Sequence, residues 1–100
     1  MNNLFVEKKD LDILINILSD FCPKSEVFAY GSRINGRAHD GSDLDLAIKN
    51  FPNEKYLFDL KEIISNSNIS FLVDINLYET LPMSFQREID KNNIKIYPKT

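Results

Sequence analysis

The stretch at positions 43–48, in which two acids alternate with leucines before further apolar residues, constrains how this chain can fold more than any other. In a β-strand, Asp43 and Asp45 project from one face, roughly 7 Å apart along the chain, and the apolar residues between them project from the other. Paired acids in an otherwise apolar strand are unusual in a globular protein unless a cation binds them. Mg²⁺ takes oxygen ligands and often binds one or two carboxylates together with substrate phosphates. The alternation therefore predicts a strand over residues 43–49 whose polar face holds a metal ion.

A Gly-Ser pair, Gly31-Ser32, follows the apolar run at residues 27–30. That run predicts a strand over residues 25–30 which is buried on both faces and therefore central in a sheet. Ser32 and Arg33 can open a short helix, whose free N–H groups bind phosphate oxygens. Gly31 lets the backbone approach a ligand without a Cβ atom. Arg33 and Arg37 are candidates for contact with a triphosphate or with the group that accepts a transferred nucleotide. The alternatives are that Arg33 braces the loop through a salt bridge and that Arg37 is a solvated loop residue.

A third apolar segment, residues 69–77, carries an acid at its centre. Its alternation places Asp74 and Asn76 on one face and the apolar residues of odd number on the other. If this strand pairs with the strand over residues 43–49, Asp74 shares the face of Asp43 and Asp45, and three carboxylates converge. The alternative is that Asp74 is a buried acid whose oxygen atoms accept hydrogen bonds from the backbone.

Helices are predicted on either side of these strands. Apolar residues at helical spacing predict helices over residues 10–21 and 54–65, with Asn53 as a cap of the second. A shorter helix over residues 82–90, with an apolar stripe of Leu81, Phe85 and Ile89, precedes an edge strand at residues 94–97. The pattern predicts an α/β (α+β) fold in which a small mixed sheet has its helices packed largely on one face.

Length and charge restrict the class of protein further. The 100 residues are enough for one domain, residues 1–100, and the net charge of −3 offers no broad basic surface for a nucleic acid. Cys22 is the single cysteine, so a disulfide framework is excluded, and we expect a buried thiol. The sequence contains no apolar run of membrane-spanning length and no signal-peptide pattern. We therefore expect a cytoplasmic protein with no direct contact to membrane or nucleic acid.

The spacing of these motifs resembles a known signature. Gly31-Ser32, ten further residues and then Asp43-Leu44-Asp45 is similar to the pattern of the DNA polymerase β-like nucleotidyltransferase superfamily. The finer form, GSR–x–x–G–x–A followed by SD–x–DL–x–I, resembles the minimal nucleotidyltransferases, which are commonly encoded beside HEPN-domain toxins. The resemblance covers nearly the whole chain and implies the palm-like fold of that superfamily. One departure is Asn35, where these proteins often carry a second arginine.

The resemblance also implies a reaction. Asp43, Asp45 and Asp74 would be the catalytic residues and would hold Mg²⁺, with two ions expected. Gly31, Ser32 and Arg33 would bind the nucleotide. The donor would be ATP, and AMP would pass to a hydroxyl group of a partner HEPN toxin, so that the chain acts as an antitoxin. A chain of this size holds little more than a catalytic core, which is a further reason to expect the acceptor on a partner protein.

Two other functions remain open at the level of sequence. The chain could neutralise a toxin by binding alone, without catalysis. It could also adenylylate a small molecule, although a chain of 100 residues has little room for the additional pocket. The sequence leaves the oligomeric state open, as homo-oligomer or hetero-oligomer.

Overall fold

Helices and strands are interspersed along the chain in the computed structural model, which describes residue 4 and residues 6–34 and 43–98. They are α1 (Lys8–Phe21), β1 (Glu26–Tyr30), β2 (Leu44–Lys49), α2 (Leu57–Ser65), β3 (Val73–Leu77), α3 (Met83–Lys91) and β4 (Ile94–Tyr97). The strands form one mixed sheet in the order β3-β2-β1-β4. β1 pairs antiparallel with β2 and with β4, and β2 pairs parallel with β3. The predicted fold class is confirmed, and β4 is an edge strand as predicted.

The main core lies between one face of the sheet and helices α1 and α2. Its helical side chains recur at a spacing of four residues, Leu14 and Leu18 in α1 and Leu60 and Ile64 in α2, as the amphipathic pattern predicts. Each fully buried leucine stabilises the fold by roughly 1.5–3 kcal/mol. The sheet contributes alternate residues from every strand: Val27, Ala29, Leu44, Leu46, Ile48, Ile75, Leu77 and Ile96.

Helix α2 makes the crossover that parallel strands require. It connects β2 to β3, and a short 3₁₀ turn, Glu54–Tyr56, leads into it. The Asn53 side chain accepts a hydrogen bond from the Lys55 N–H at 3.1 Å, so the predicted cap is confirmed at the start of this turn. The crossover brings β3 alongside β2, which sets the register of the two acidic strands.

The opposite face of the sheet, which we call the open face, carries the polar side chains of the strands. At one end, the Lys49 ammonium group lies 5.0 Å from the ring centre of Phe28 and 4.4 Å from that of Tyr78. Asp45 and Asp74 lie toward the other end, because they precede Lys49 and Tyr78 along β2 and β3 by four residues each. The sheet thus separates an apolar core from a face that is available for chemistry.

Three sequence-based expectations were wrong: the burial of β1, the start of β3 and the exposure of Phe85. β1 is central but is buried on one face only, because no helical layer covers its Phe28 and Tyr30 side chains to the same extent. β3 begins at Val73 rather than at residue 69, since pairing with β2 begins with Leu44 opposite Val73. Phe85 was expected in an apolar stripe but is 57% exposed, whereas Ile89 of the same helix is buried.

Three further expectations concern the cysteine, membrane-spanning helices and the loop that follows the Gly-Ser pair. Cys22 is a buried free thiol, as expected, and burial raises its pKa. Among the described residues, no helix is long and apolar enough to cross a membrane. The predicted turn and loop over residues 35–42, with Arg37, lie outside the described residues.

Candidate active site

The register of β2 and β3 places two predicted site residues side by side. Asp45 faces Asp74 directly in the parallel pair, and Tyr30 faces Asp45 in the antiparallel pair with β1. Paired residues project from the same face of a sheet, so all three side chains leave the open face at one level. Asp43 immediately precedes β2 and is exposed. The expected pairing of the two acidic strands is therefore confirmed.

Gly31 lies against the Asp45 carboxylate. β1 ends at Tyr30, and the chain turns into a 3₁₀ helix, Gly31–Ile34, with Gly31 at φ +83°. A Cβ atom on Gly31 would lie 2.5 Å from Asp45 Oδ2, closer than side-chain atoms can approach. Both the positive φ and this contact favour glycine at position 31. The buried side chain of Ile34 anchors the far end of the turn in the core.

Negative charge is concentrated at this end of the open face. Burial raises the pKa of Asp45, and the nearby carboxylates of Asp74 and Asp43 raise it further. The pKa of Tyr30 is also raised, first by burial and then by Asp45 and Asp74, against a lowering by its hydrogen bond with Asn76. Like charges that are partly shielded from water disfavour ionisation, and a cation among them would reverse that effect.

Asn76 and Tyr30 belong to this group, although neither was predicted as a site residue. The Asn76 amide donates long hydrogen bonds to Asp74 Oδ2 at 3.3 Å and to the Tyr30 hydroxyl at 3.4 Å. Asn76 therefore connects β3 to β1 across β2. The position of Asn76 two residues after Asp74 was the signal in the sequence, because it places both side chains on one face.

The carboxylates fit Mg²⁺ in the chemistry of their donor atoms, which are hard oxygens on adjacent strands. They do not form a finished cage, because no three acidic, histidine or cysteine side chains of the described ranges are arranged around one metal position. Burial raises the pKa of Asp45, and a bound cation would offset the further rise that Asp74 and Asp43 cause. The metal-binding role of Asp43, Asp45 and Asp74 stays a prediction.

The remaining predicted residues follow Gly31. Ser32 and Arg33 have their backbone in the 3₁₀ turn beside Asp45, but their side chains are outside the described part of the structure. The described part of the turn ends at Ile34, and its position next to the carboxylates is compatible with phosphate binding. The nucleotide-binding roles of Gly31, Ser32 and Arg33 stay predictions.

This fold and arrangement of residues agree with the comparisons to known proteins. The chain belongs to the polymerase β nucleotidyltransferase family, whose model matches residues 12–100. It is 35% identical over 98 residues to a probable protein adenylyltransferase, MntA, of Haemophilus influenzae, in an alignment that covers 96% of this chain and 86% of the relative. The predicted membership in the minimal nucleotidyltransferases of this superfamily is therefore confirmed, and the protein is a nucleotidyltransferase.

The fold has a counterpart among solved structures. A chain in the crystal structure of a toxin-antitoxin with AMP-PNP matches with a TM-score of 0.73 at 19% identity. The match covers 87% of this chain and 72% of the other. At this level of identity the similarity establishes the fold, which confirms the predicted polymerase β-like architecture.

Proposed function

We propose that this protein transfers AMP from ATP to a hydroxyl group of a HEPN-domain toxin, in a magnesium-dependent reaction, and so acts as an antitoxin. The observation that carries the proposal is the alignment of Asp45 with Asp74 on the open face, beside the Gly31 turn. The similarity to a probable protein adenylyltransferase supports the choice of AMP and of a protein acceptor.

Each residue has a part in this reaction. The acceptor oxygen attacks the α-phosphorus of ATP, the bond from that phosphorus to the bridging oxygen breaks, and pyrophosphate leaves. Asp74 lies on the outer strand of the carboxylate cluster and is exposed, and it takes the proton of the acceptor hydroxyl. Gly31 and Ser32 bind the β- and γ-phosphates through the turn, and Arg33 contacts the triphosphate.

Asp43, Asp45 and Asp74 would hold Mg²⁺. Bound there, Mg²⁺ would supply positive charge that neutralises the phosphates during transfer. The protein contributes position, because Asp45 and Asp74 come from adjacent strands with fixed register. Hydrogen bonding of Asn76 to Asp74 restrains that carboxylate on the open face.

A protein acceptor is favoured over a nucleic acid by charge. The chain carries a net charge of −3, and the candidate site itself is acidic. Binding a polynucleotide requires cations that neutralise successive phosphates. An added AMP group would bring negative charge and bulk to the toxin, which would oppose RNA binding there.

The test is a mass measurement on a HEPN-domain toxin, the proposed acceptor. Incubated with the wild-type protein, Mg²⁺ and ATP, it should gain mass in AMP-sized steps on a Tyr, Ser or Thr hydroxyl. The double variant Asp43→Asn, Asp45→Asn should transfer nothing, because it removes two ligand charges. Asp20→Asn is the matched control, since it removes one carboxylate from an exposed position of α1 and should keep full transfer.

Circular dichroism of the double variant should show the wild-type fold. Transfer at the wild-type rate by that folded variant would overturn the proposed catalytic residues. Neutralisation of the toxin with no change in its mass would establish an antitoxin that acts by binding alone. Mass gain on a small molecule instead of a protein would show that the chain is a small-molecule adenylyltransferase.

A further inference from the structure

The outer edge of β3 is unpaired within the described part of the chain. β3 is the first strand in the order β3-β2-β1-β4, so β2 occupies only its inner side. The Leu44 N–H donates to the Leu72 carbonyl at 2.9 Å, while Leu44 faces Val73. In a parallel pair this pattern directs the backbone groups of Leu72 and Asp74 toward β2. The N–H and carbonyl groups of Val73 and Ile75 therefore point outward.

Two grooves run along that edge. The first has a volume of about 460 Å³ and lies between α2 and residues 69–75, with Asp74 in its wall. The second, of about 230 Å³, continues along residues 75–77 to Thr80. Lys61 and Ile75 line both grooves. The two together follow the length of β3, which suits a linear ligand better than a compact one.

We propose that an extended segment of the acceptor polypeptide binds this edge as an additional strand beside β3, with its reactive hydroxyl residue opposite Asp74. This inference rests on the proposed function. A residue paired with Asp74 projects from the open face, with its Cβ atom about 5 Å from that of Asp74. Asp45 and the Gly31 turn lie on the same face. Strand pairing alone thus brings the hydroxyl to the candidate active site.

The chemistry of the edge selects a polypeptide. Val73 and Ile75 present alternating N–H donors and carbonyl acceptors at the two-residue repeat of a strand, roughly 7 Å, which an extended main chain matches. The residues on either side of the hydroxyl residue project toward the opposite side of the sheet, where Ile64, Ile69 and Lys61 line the groove together with Ser65 and Ser70. The structure therefore favours an acceptor segment with apolar or acidic residues immediately before and after the hydroxyl residue.

The first part of the test identifies acceptor peptides. A library of seven-residue peptides with a central tyrosine and randomised neighbours is incubated with wild-type protein, Mg²⁺ and ATP, and the AMP-labelled peptides are sequenced. We expect severalfold enrichment of apolar or acidic residues at the two positions adjacent to the tyrosine, because isoleucines and Lys61 line the groove that these positions face. Labelling without any such preference would contradict the groove as the binding site.

The second part tests strand pairing directly on the wild-type protein. The best peptide is resynthesised with a single N-methyl group on each backbone amide in turn. Because only alternate amides of an added strand face β3, methylation should lower kcat/KM tenfold or more at every second position and leave the positions between unchanged. The parity of the sensitive positions reports whether the segment runs parallel or antiparallel to β3. Equal effects at neighbouring positions would overturn the proposal.

Binding can also be measured without transfer. A version of the peptide with phenylalanine in place of tyrosine cannot accept AMP, but it should slow hydrogen exchange at the amides of Val73 and Ile75. The amide of Leu44 already donates to Leu72 and is the internal control. Unchanged exchange at Val73 and Ile75 with saturating peptide would contradict strand addition.

Failure of this inference is distinct from failure of the proposed function. If the HEPN-type partner gains AMP but no library peptide does, the acceptor is recognised in another form and the inference is wrong while the function stands. If neither gains AMP, the proposed function fails and the inference fails with it.

Discussion

The contact between Gly31 and Asp45 predicts the effect of the smallest substitution in the site. Gly31→Ala places a Cβ atom 2.5 Å from Asp45 Oδ2 and a side chain on a backbone with φ +83°. We expect the free energy of unfolding to fall by ~1–3 kcal/mol, chiefly because the positive φ strains the turn, with a smaller part from turning the Asp45 carboxylate aside. Transfer should fall at least tenfold, or about 1.4 kcal/mol in the barrier, since the carboxylate is displaced. Urea unfolding and AMP-transfer rates measure the two effects.

A matched pair of variants separates these causes. Asp45→Ala removes the carboxylate, so Gly31→Ala in that background retains only the cost of the positive φ. The loss of unfolding free energy should be smaller there than in the wild-type background. An equal loss in both backgrounds would show that the contact with Asp45 contributes nothing to the restriction at position 31.

Asp45 also predicts a dependence of stability on pH in the absence of metal. Its pKa in the folded protein is raised by burial and by Asp74 and Asp43. A carboxyl group with a raised folded-state pKa contributes stability below its unfolded-state pKa, and that contribution is lost as the pH rises through the folded-state value. In EDTA at pH 7, Asp45→Asn should therefore melt at a higher temperature than the wild type.

The difference in melting temperature should shrink as the pH is lowered below the ordinary pKa of an aspartate. Asp20→Asn, at an exposed position of α1, is the control and should change the melting temperature little at either pH. A lower melting temperature for Asp45→Asn in EDTA at pH 7 would show that the ionised carboxylate stabilises the fold.

At the scale of elements, the sequence was sufficient to predict which strands carry the acids. The two-residue alternation around Asp45 and Asp74 determines from which face of each strand the acid projects. The intervening α2 allows the two strands to pair in parallel. The contacts of Gly31 with Asp45 and of Asn76 with Tyr30 were not predictable. They depend on the register of β1 against β2, and the two-residue periodicity excludes one-residue slips but does not choose among shifts of two residues.

The limits of β3 illustrate the same point. Residues 69–72 have strand-like alternation, but a strand exists only where a partner's backbone is in reach, and pairing begins at Val73. Likewise, helical spacing in α3 could not show that Phe85 is exposed while Ile89 is buried. Burial of a helix stripe depends on which surface the helix meets.

Helix α1 is connected to the segment before β3 by a buried carboxylate. Asp10 is 1% exposed and its Oδ2 accepts a hydrogen bond from Ser70 Oγ at 2.9 Å, while its Oδ1 has no hydrogen-bond partner among the residues that the structure describes. Ser70→Ala should lower the free energy of unfolding by about 1–3 kcal/mol, because it leaves a buried acceptor unsatisfied. Urea unfolding measures the change.

The control for Ser70→Ala is Ser19→Ala, which removes a hydroxyl from an exposed position of α1. It should change the unfolding free energy by no more than about 0.5 kcal/mol. If Ser70→Ala is as neutral as Ser19→Ala, the hydrogen bond between Ser70 and Asp10 does not hold the segment before β3 against α1.

The molecule as a whole presents a small acidic face, the candidate active site, beside the outer edge of β3. One layer of helices covers the sheet on the core side, and the described residues leave Asp45 and Asp74 on the other. An acceptor must therefore supply much of its own binding surface. A partner protein does this better than a single metabolite, because an interface of protein size provides the area that the site lacks.

Turnover provides the prediction that distinguishes a catalytic antitoxin from one that only binds. The wild-type protein, with Mg²⁺ and ATP, should neutralise a molar excess of the HEPN-type toxin, because each molecule modifies many partners. The folded double variant Asp43→Asn, Asp45→Asn should neutralise, if at all, no more than an equal number of toxin molecules. Titration of toxin ribonuclease activity against each protein, with the partner's mass measured in parallel, gives both stoichiometries. Equal one-to-one neutralisation by both proteins, without added mass, would mean that occupation of the toxin surface is the mechanism and that the aligned carboxylates have no catalytic part in it.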